Sequence, residues 1–89
     1  MDIIHDSAAH QFRVEVDDHR GELDYTLRGG MMVITHTGVP TAIGGRGIAA
    51  ELTRAALDTA RREGWKVAPA CSYAAAFIRR HPEYADLLL

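Results

Sequence analysis

Three of the four residues from Gly44 to Gly47 are glycine, and the fourth is Arg46. Glycine adds no packing surface and costs backbone entropy, so this density implies a conformational need. One such need is bare backbone that can approach a bulky anion at the start of a helix, where free N–H groups and the positive end of the dipole converge. Arg46 inside the loop could fork onto phosphate oxygens. The competing reading is a flexible strand-to-helix connection made of good turn residues. The loop is not a P-loop, because no Gly-Lys-Ser/Thr follows, and it is not the GxGxxG dinucleotide fingerprint.

Cys71 is the second group of interest. It stands where the short run "WKVAP" gives way to a helical pattern, at the carboxyl edge of a sheet, where open α/β folds tend to bind ligands. A thiol at a helix N-terminus has its thiolate form favoured by the dipole. A buried small hydrophobe is the structural alternative, since free cysteine is among the most buried residue types. His36 lies on a strand, where a lone histidine is commonly a satisfied structural residue. His5, His10 and His19 sit in less organised sequence, and no spacing among them, Cys71 and His81 makes a zinc site.

The elements that must position these groups show in the periodicity. Phe12, Val14 and Val16 alternate with Gln11, Arg13 and Glu15, and Leu23, Tyr25 and Leu27 alternate again after the turn residues Asp17 to Gly21. Gly29-Gly30 is a two-residue hairpin signal, and Met31 to Thr37 is a β-branched run of the kind expected in a central strand. If Val33 and Thr35 face one side, His36 faces the other with Ile34 and Met32. From Gly45 the period changes: Ile48, Leu52, Ala55, Ala56 and Ala60 recur at helical spacing up to Gly64. Lys66 to Pro69 reads as a short buried strand, Ser72 to about Arg80 as a second helix, and Pro82 starts a last turn. The predicted order is β-β-β-α-β-α, an α/β layered (α+β) fold with a mostly antiparallel sheet. Trp65 is expected between helix and sheet, Tyr73 and Tyr84 in core packing, and Leu87 to Leu89 in a core cap or a subunit contact.

The 89 residues suffice for one domain spanning 1–89, with 47% hydrophobic and 25% charged residues. A formal charge of −2 gives no reason to expect nucleic acid or an anionic membrane as partner. No run approaches the roughly 20 apolar residues of a membrane span. The start carries two aspartates and no basic region, so no signal peptide is expected, and a single cysteine fits a reducing cytoplasm.

The combination of "HTGVP", "GRGIA", "PACSY" and "RHPEY" resembles the acyl-CoA N-acyltransferases of the GNAT superfamily, in particular its small single-domain YjdJ-like N-acetyltransferases, over roughly Leu23 to Leu88. The resemblance implies a minimal GNAT-like fold and an acetyl-CoA-dependent N-acetyltransferase. It implies that Gly44, Gly45, Arg46, Gly47, Ile48 and Ala49 wrap the diphosphate of coenzyme A. Gly44 departs from the superfamily, where Gln or Arg is usual. The strand Met31 to Thr37, extended by Val39, would pair with the pantetheine arm and hold the thioester near Gly38 and Val39. Cys71 would be a nucleophile taking the acetyl group or would line the thioester pocket, and His36 would be a base for the amine. Arg79 and Arg80, with His81, would meet the 3′-phosphate or adenine side of coenzyme A, or form a solvated helix face. The tyrosine acid of larger relatives is absent, since Ile78 or Arg79 falls at its position. The acceptor would be a small-molecule amine or a protein lysine, attacked directly or through an acetyl-cysteine, with the oligomeric state open. The alternatives are a non-catalytic module that binds CoA or acyl-CoA, and a ligand-free interaction domain.

Overall fold

Two glycines and two aspartates set two of the hairpins of this molecule. The computed structural model describes residues 1–88. Its five strands are β1 (Ile4–Asp6), β2 (Gln11–Val16), β3 (His19–Arg28), β4 (Met31–Gly38) and β5 (Lys66–Pro69), ordered in the sheet as they are in the chain. Gly29 and Gly30 both have positive φ, 51° and 81°, which is the backbone of a tight turn whose twist matches its flanking strands. Asp17 and Asp18 do the same between β2 and β3, with φ of 49° and 62°. The turn is therefore those two residues alone. His19 to Gly21, expected in the turn, already lie in β3, with Val16 opposite His19 and Val14 opposite Gly21. β1 is a strand beyond those that periodicity predicts, pairing Ile4 to Asp6 with Arg13 to Gln11.

β1 to β4 are antiparallel, and β5 joins β4 in parallel, Met31 opposite Lys66 through Ile34 opposite Pro69. The parallel pair is made by the crossover α1 (Ile48–Glu63), and α2 (Ser72–Arg80) follows β5. One face of the sheet carries Phe12, Val14, Leu23, Tyr25, Met32, Ile34 and Val67, all buried. Against it pack Ile48, Leu52, Ala56 and Ala60 of α1, with Ala74, Phe77 and Ile78 of α2. Gly21 supplies the seat for the first α1 residue: a Cβ there would come to 3.0 Å from Ile48 Cγ2. The other sheet face, with Gln11, Arg13, Glu22, Asp24, Thr26 and Val33, is partly or fully exposed.

α1 and α2 lie side by side on the covered face. Arg54 sits over the Phe77 ring at 5.4 Å, the Tyr84 hydroxyl donates to Asp58 at 3.1 Å, and Arg61 bonds Asp86 at 2.7 Å. The first of these contacts joins α1 to α2, and the other two join α1 to a short 3-10 helix, Pro82–Leu87, that follows α2. Each of α1 and α2 begins at the carboxyl end of its strand, which brings both N-termini to one end of the sheet. Leu87 is buried in the core, as one expected reading of the tail has it, while Leu89 lies outside the described residues.

Candidate active site

After Ile34 the strands β4 and β5 part. Ile34 O accepts from both Ala70 N at 3.0 Å and Cys71 N at 3.1 Å, and β5 has ended at Pro69. β4 continues to Gly38, paired only with β3, so Thr35 to Gly38 present one edge without a neighbouring strand. The same stretch holds a bulge. Asp24 pairs with His36 and Tyr25 with Ile34, leaving Thr35 as the extra residue, its hydroxyl donating to Asp24 O at 3.2 Å.

The bulge reverses the alternation. Cross-strand partners share a face, so Thr37, opposite Leu23, joins the helix-covered side, and His36, opposite Asp24, lies on the helix-free side. The expectation that His36 faces with Ile34 and Met32 therefore fails, because it assumed an unbroken period of two. His36 is exposed, and its ring rests against Gly38, where a Cβ would come to 2.8 Å from Nε2. Nearby on that face, Gln11 Nε2 donates to Glu22 Oε2 and Asp24 Oδ1, both at 2.9 Å.

On the covered side, Cys71 is the N-cap of α2. Its Sγ accepts from Ala74 N at 3.4 Å and lies 3.6 Å from Thr37 Oγ1. Half-buried, the thiol thus joins the start of α2 to the parted segment of β4. Thr37 and Gly38 fall within the "HTGVP" stretch, whereas Asp24 carries no sequence motif and is brought beside them only by the register, with its bulge.

The glycine loop adjoins this region through a short 3-10 turn, Thr41–Ile43, that buries Ile43. Gly45 and Gly47 both have φ of 75°, a left-handed conformation that costs other residues strain. A Cβ at either would meet nothing within 4 Å, so torsion rather than space calls for glycine there. Gly47 is the N-cap of α1 and contributes no side-chain bond. The first main-chain bond of the helix is Glu51 N to Gly47 O at 3.1 Å. Among the described residues, the amides from Gly45 to Ala50 donate to no carbonyl or side chain of the protein. They form a run of free donors at a helix N-terminus, which is what a diphosphate requires.

The other predicted residues separate. Val39 follows β4 directly and packs half-buried against the core, and Gly44 N is taken by Thr41 O at 3.0 Å. Arg46 points its guanidinium at Asp17 in the β2–β3 turn, 2.7 Å away in an exposed pair, rather than leaving it open for an anion. Arg79 and Arg80 close the C-terminal end of α2, about 12 Å along its axis from Cys71. Arg79 borders an apolar cavity of about 390 Å³ with Pro69, Ala75, Ile78 and Pro82. Tyr73, on the first turn of α2, is 39% exposed rather than in the core, while Tyr84 is buried; burial pushes the pKa of both phenols up. Among the described residues no cluster of His, Cys, Asp or Glu is arranged to hold a metal, and no helix is long and apolar enough to cross a membrane.

Residues 11–87 match a family model for GCN5-related N-acetyltransferases. The chain is 35% identical over 85 residues to Protein NATD1 of Gallus gallus, covering 92% of this chain and 77% of that protein. It is 37% identical over 81 residues to Protein NATD1 of Homo sapiens, covering 88% and 72%. The fold is similar to a protein of Staphylococcus aureus solved by NMR and described as GCN5-like, with a TM-score of 0.78, 26% identity, and 99% of this chain and 87% of that one covered.

Proposed function

Because the chain belongs to the GCN5-related N-acetyltransferase family, acyl-CoA-dependent enzymes that acetylate nitrogen, we propose that it transfers acetyl from acetyl-CoA to a primary amine by direct attack. The observation that carries this reading is the run of unpartnered amides from Gly45 to Ala50, beside the free edge of β4. Acetyl-CoA supplies an activated thioester and a diphosphate handle. Gly45, Gly47, Ile48 and Ala49 offer their amides to that diphosphate, with the α1 dipole behind them. Thr35 to Val39 offer strand-like donors and acceptors to the pantetheine arm, and Pro40, lacking an N–H, ends that ladder. Main-chain donors there would also polarise the thioester carbonyl.

Cys71, in this reading, lines the pocket and fixes the start of α2 through its bond from Ala74 N, without itself being acylated. The amine approaches over the helix-free face. Asp24 and Glu22, held by Gln11, favour a cationic acceptor such as a lysine side chain or a polyamine. An ammonium has no lone pair, so a proton must leave before attack. His36, exposed beside Gly38, would take it and pass it to solvent; attack of the free amine then forms the C–N bond and breaks the thioester C–S bond, and CoA leaves as the thiol with the second nitrogen proton.

Intact-mass spectrometry after incubation with acetyl-CoA, followed by a panel of polyamines and lysine peptides, tests the proposal. The expected result is acetyl on an added amine and none on the protein. Acetyl on Cys71 would replace direct attack with a two-step path. CoA binding without any acetylated amine would leave only a binding module.

A further inference from the structure

Near the C-terminal end of α1, a cavity of about 400 Å³ opens between β1, β3 and the last turns of the helix, lined among others by His5, Tyr25, Leu27, Arg62, Glu63 and Trp65. It lies about 20 Å along α1 from the glycine loop, so the acetyl-transfer chemistry does not use it. Its size falls at the small end of small-molecule pockets, about 300–1,000 Å³.

Tyr25 and Thr59 are the buried polar residues of this cavity, while His5, Arg62 and Glu63 stand at its exposed mouth. Tyr25 is 3% exposed, and its hydroxyl lies 2.6 Å from His5 Nε2. The His5 ring stacks on Phe12 with centroids 4.1 Å apart and planes 7° from parallel. Burial, and then the Arg62 guanidinium, hold the His5 pKa below its ordinary value, while burial raises that of Tyr25. Both groups are therefore neutral near pH 7. A neutral pair bonds best with Tyr25 donating to Nε2, which assigns the imidazole proton to Nδ1. Nδ1 has no protein partner among the described residues. Arg62 touches Thr59 Oγ1 at 3.3 Å and, among the described residues, pairs with no carboxylate. Glu63 stands beside it, and Leu27 and Trp65 add apolar surface.

A plain anion would meet Arg62 but be repelled by Glu63, and a plain cation would meet the reverse. A ligand carrying both charges on adjacent atoms satisfies the two together. We propose that this cavity binds a free α-amino acid with an apolar side chain, its carboxylate on Arg62 and His5 Nδ1–H, its ammonium on Glu63, and its side chain against Leu27 and Trp65.

NMR titration of the whole chain with L-leucine and L-phenylalanine tests this, beside L-leucinamide, which lacks the carboxylate, and N-acetyl-L-leucine, which lacks the ammonium. The expected outcome is shifts at Leu27, Thr59 and the Trp65 indole, with both analogues at least about tenfold weaker. Arg62→Gln and Glu63→Gln should each weaken the free amino acid about tenfold, with unchanged melting temperature and unchanged CoA binding. Absence of shifts up to the solubility limit, equal binding of either analogue, or shifts centred on Thr37 and Cys71 would each overturn it.

Discussion

Gly47 and Gly64 bound α1 with almost the same backbone, φ 75° and ψ 17° at the first, φ 75° and ψ 22° at the second. Their surroundings differ in what happens to the main-chain polar groups. At the C-terminal end, Gly64 N donates to Ala60 O and Arg61 O, and Trp65 N reaches Ala60 O at 2.8 Å. Arg61 then clamps Asp86 and Glu83 O, and Lys66 Nζ bonds Asp86 O at 2.9 Å. This end is closed by the protein itself, in the manner of a Schellman cap. At the N-terminal end, Gly47 brings no capping side chain, and the following amides have no protein acceptor among the described residues. The same torsion thus serves closure at one end and an open cradle at the other. The open end is also where β4 and β5 part and α2 begins.

The matched glycines allow that contrast to be broken. A Cβ meets nothing within 4 Å at Gly47 or at Gly64, so valine at either should cost a similar strain of roughly 1–3 kcal/mol. Only Gly47→Val should also weaken CoA binding, by about a hundredfold or some 2.7 kcal/mol, measured by calorimetry beside thermal melts. Equal loss of CoA affinity in Gly64→Val would remove any special role for the loop.

Cys71 sharpens the comparison within the open end. As an N-cap that accepts from Ala74 N, it should tolerate Cys71→Ser, because a hydroxyl caps at least as well. Cys71→Ala should lose roughly 0.5–2 kcal/mol of stability. Turnover of the serine variant should stay within about tenfold of the parent, a barrier change below about 1.4 kcal/mol. A loss of several orders of magnitude in both variants would instead mark the thiol as a nucleophile.

A smaller effect is expected at Arg46. Its exposed pair with Asp17 ties the loop to the β2–β3 turn, and such pairs contribute little stability. Arg46→Ala should change stability by less than about 0.5 kcal/mol and weaken CoA by about threefold, through a looser loop. A larger loss that vanishes at high salt would show the guanidinium leaving Asp17 for the diphosphate.

Periodicity made the two helices, the hairpin at Gly29-Gly30 and most of the sheet legible, because burial on one face imposes it residue by residue. The glycine loop was legible for a different reason, since left-handed torsions concentrate glycine. What escaped depends on pairing between distant residues. The three residues of β1 are too few to show alternation. Gly21 looks like a turn residue and is in fact the close seat of Ile48. The bulge at Thr35 lives in the register with Asp24 and Tyr25, and no residue type at Thr35 announces it, so the face of His36 came out reversed. The sequence offers Arg46 no visible partner, because Asp17, its neighbour in the fold, lies 29 positions away.

The closed end carries the last and smallest test, in its response to acid. His5 has a folded pKa lowered from 6.5, chiefly by burial and then by Arg62. Between the folded and unfolded values the unfolded chain binds more protons, so stability is fully present above about 6.5 and declines as pH falls below it. Asp6 and Asp86 act in a separate, lower window. Asp6 is lowered from 3.8 by the Ala9 amide and then Arg13, and Asp86 from 3.8 by its bond from Arg61, so their contributions are lost only as pH falls through those lowered values. Melting curves of the parent and His5→Gln should therefore diverge just below 6.5, the parent falling while the variant stays flat, and should fall together below 3.8. CoA affinity should not follow the His5 step, because that imidazole stacks on Phe12 near the closed end of α1. If affinity did fall with the same midpoint, the two ends of the helix would be coupled, and the division of labour between them would fail.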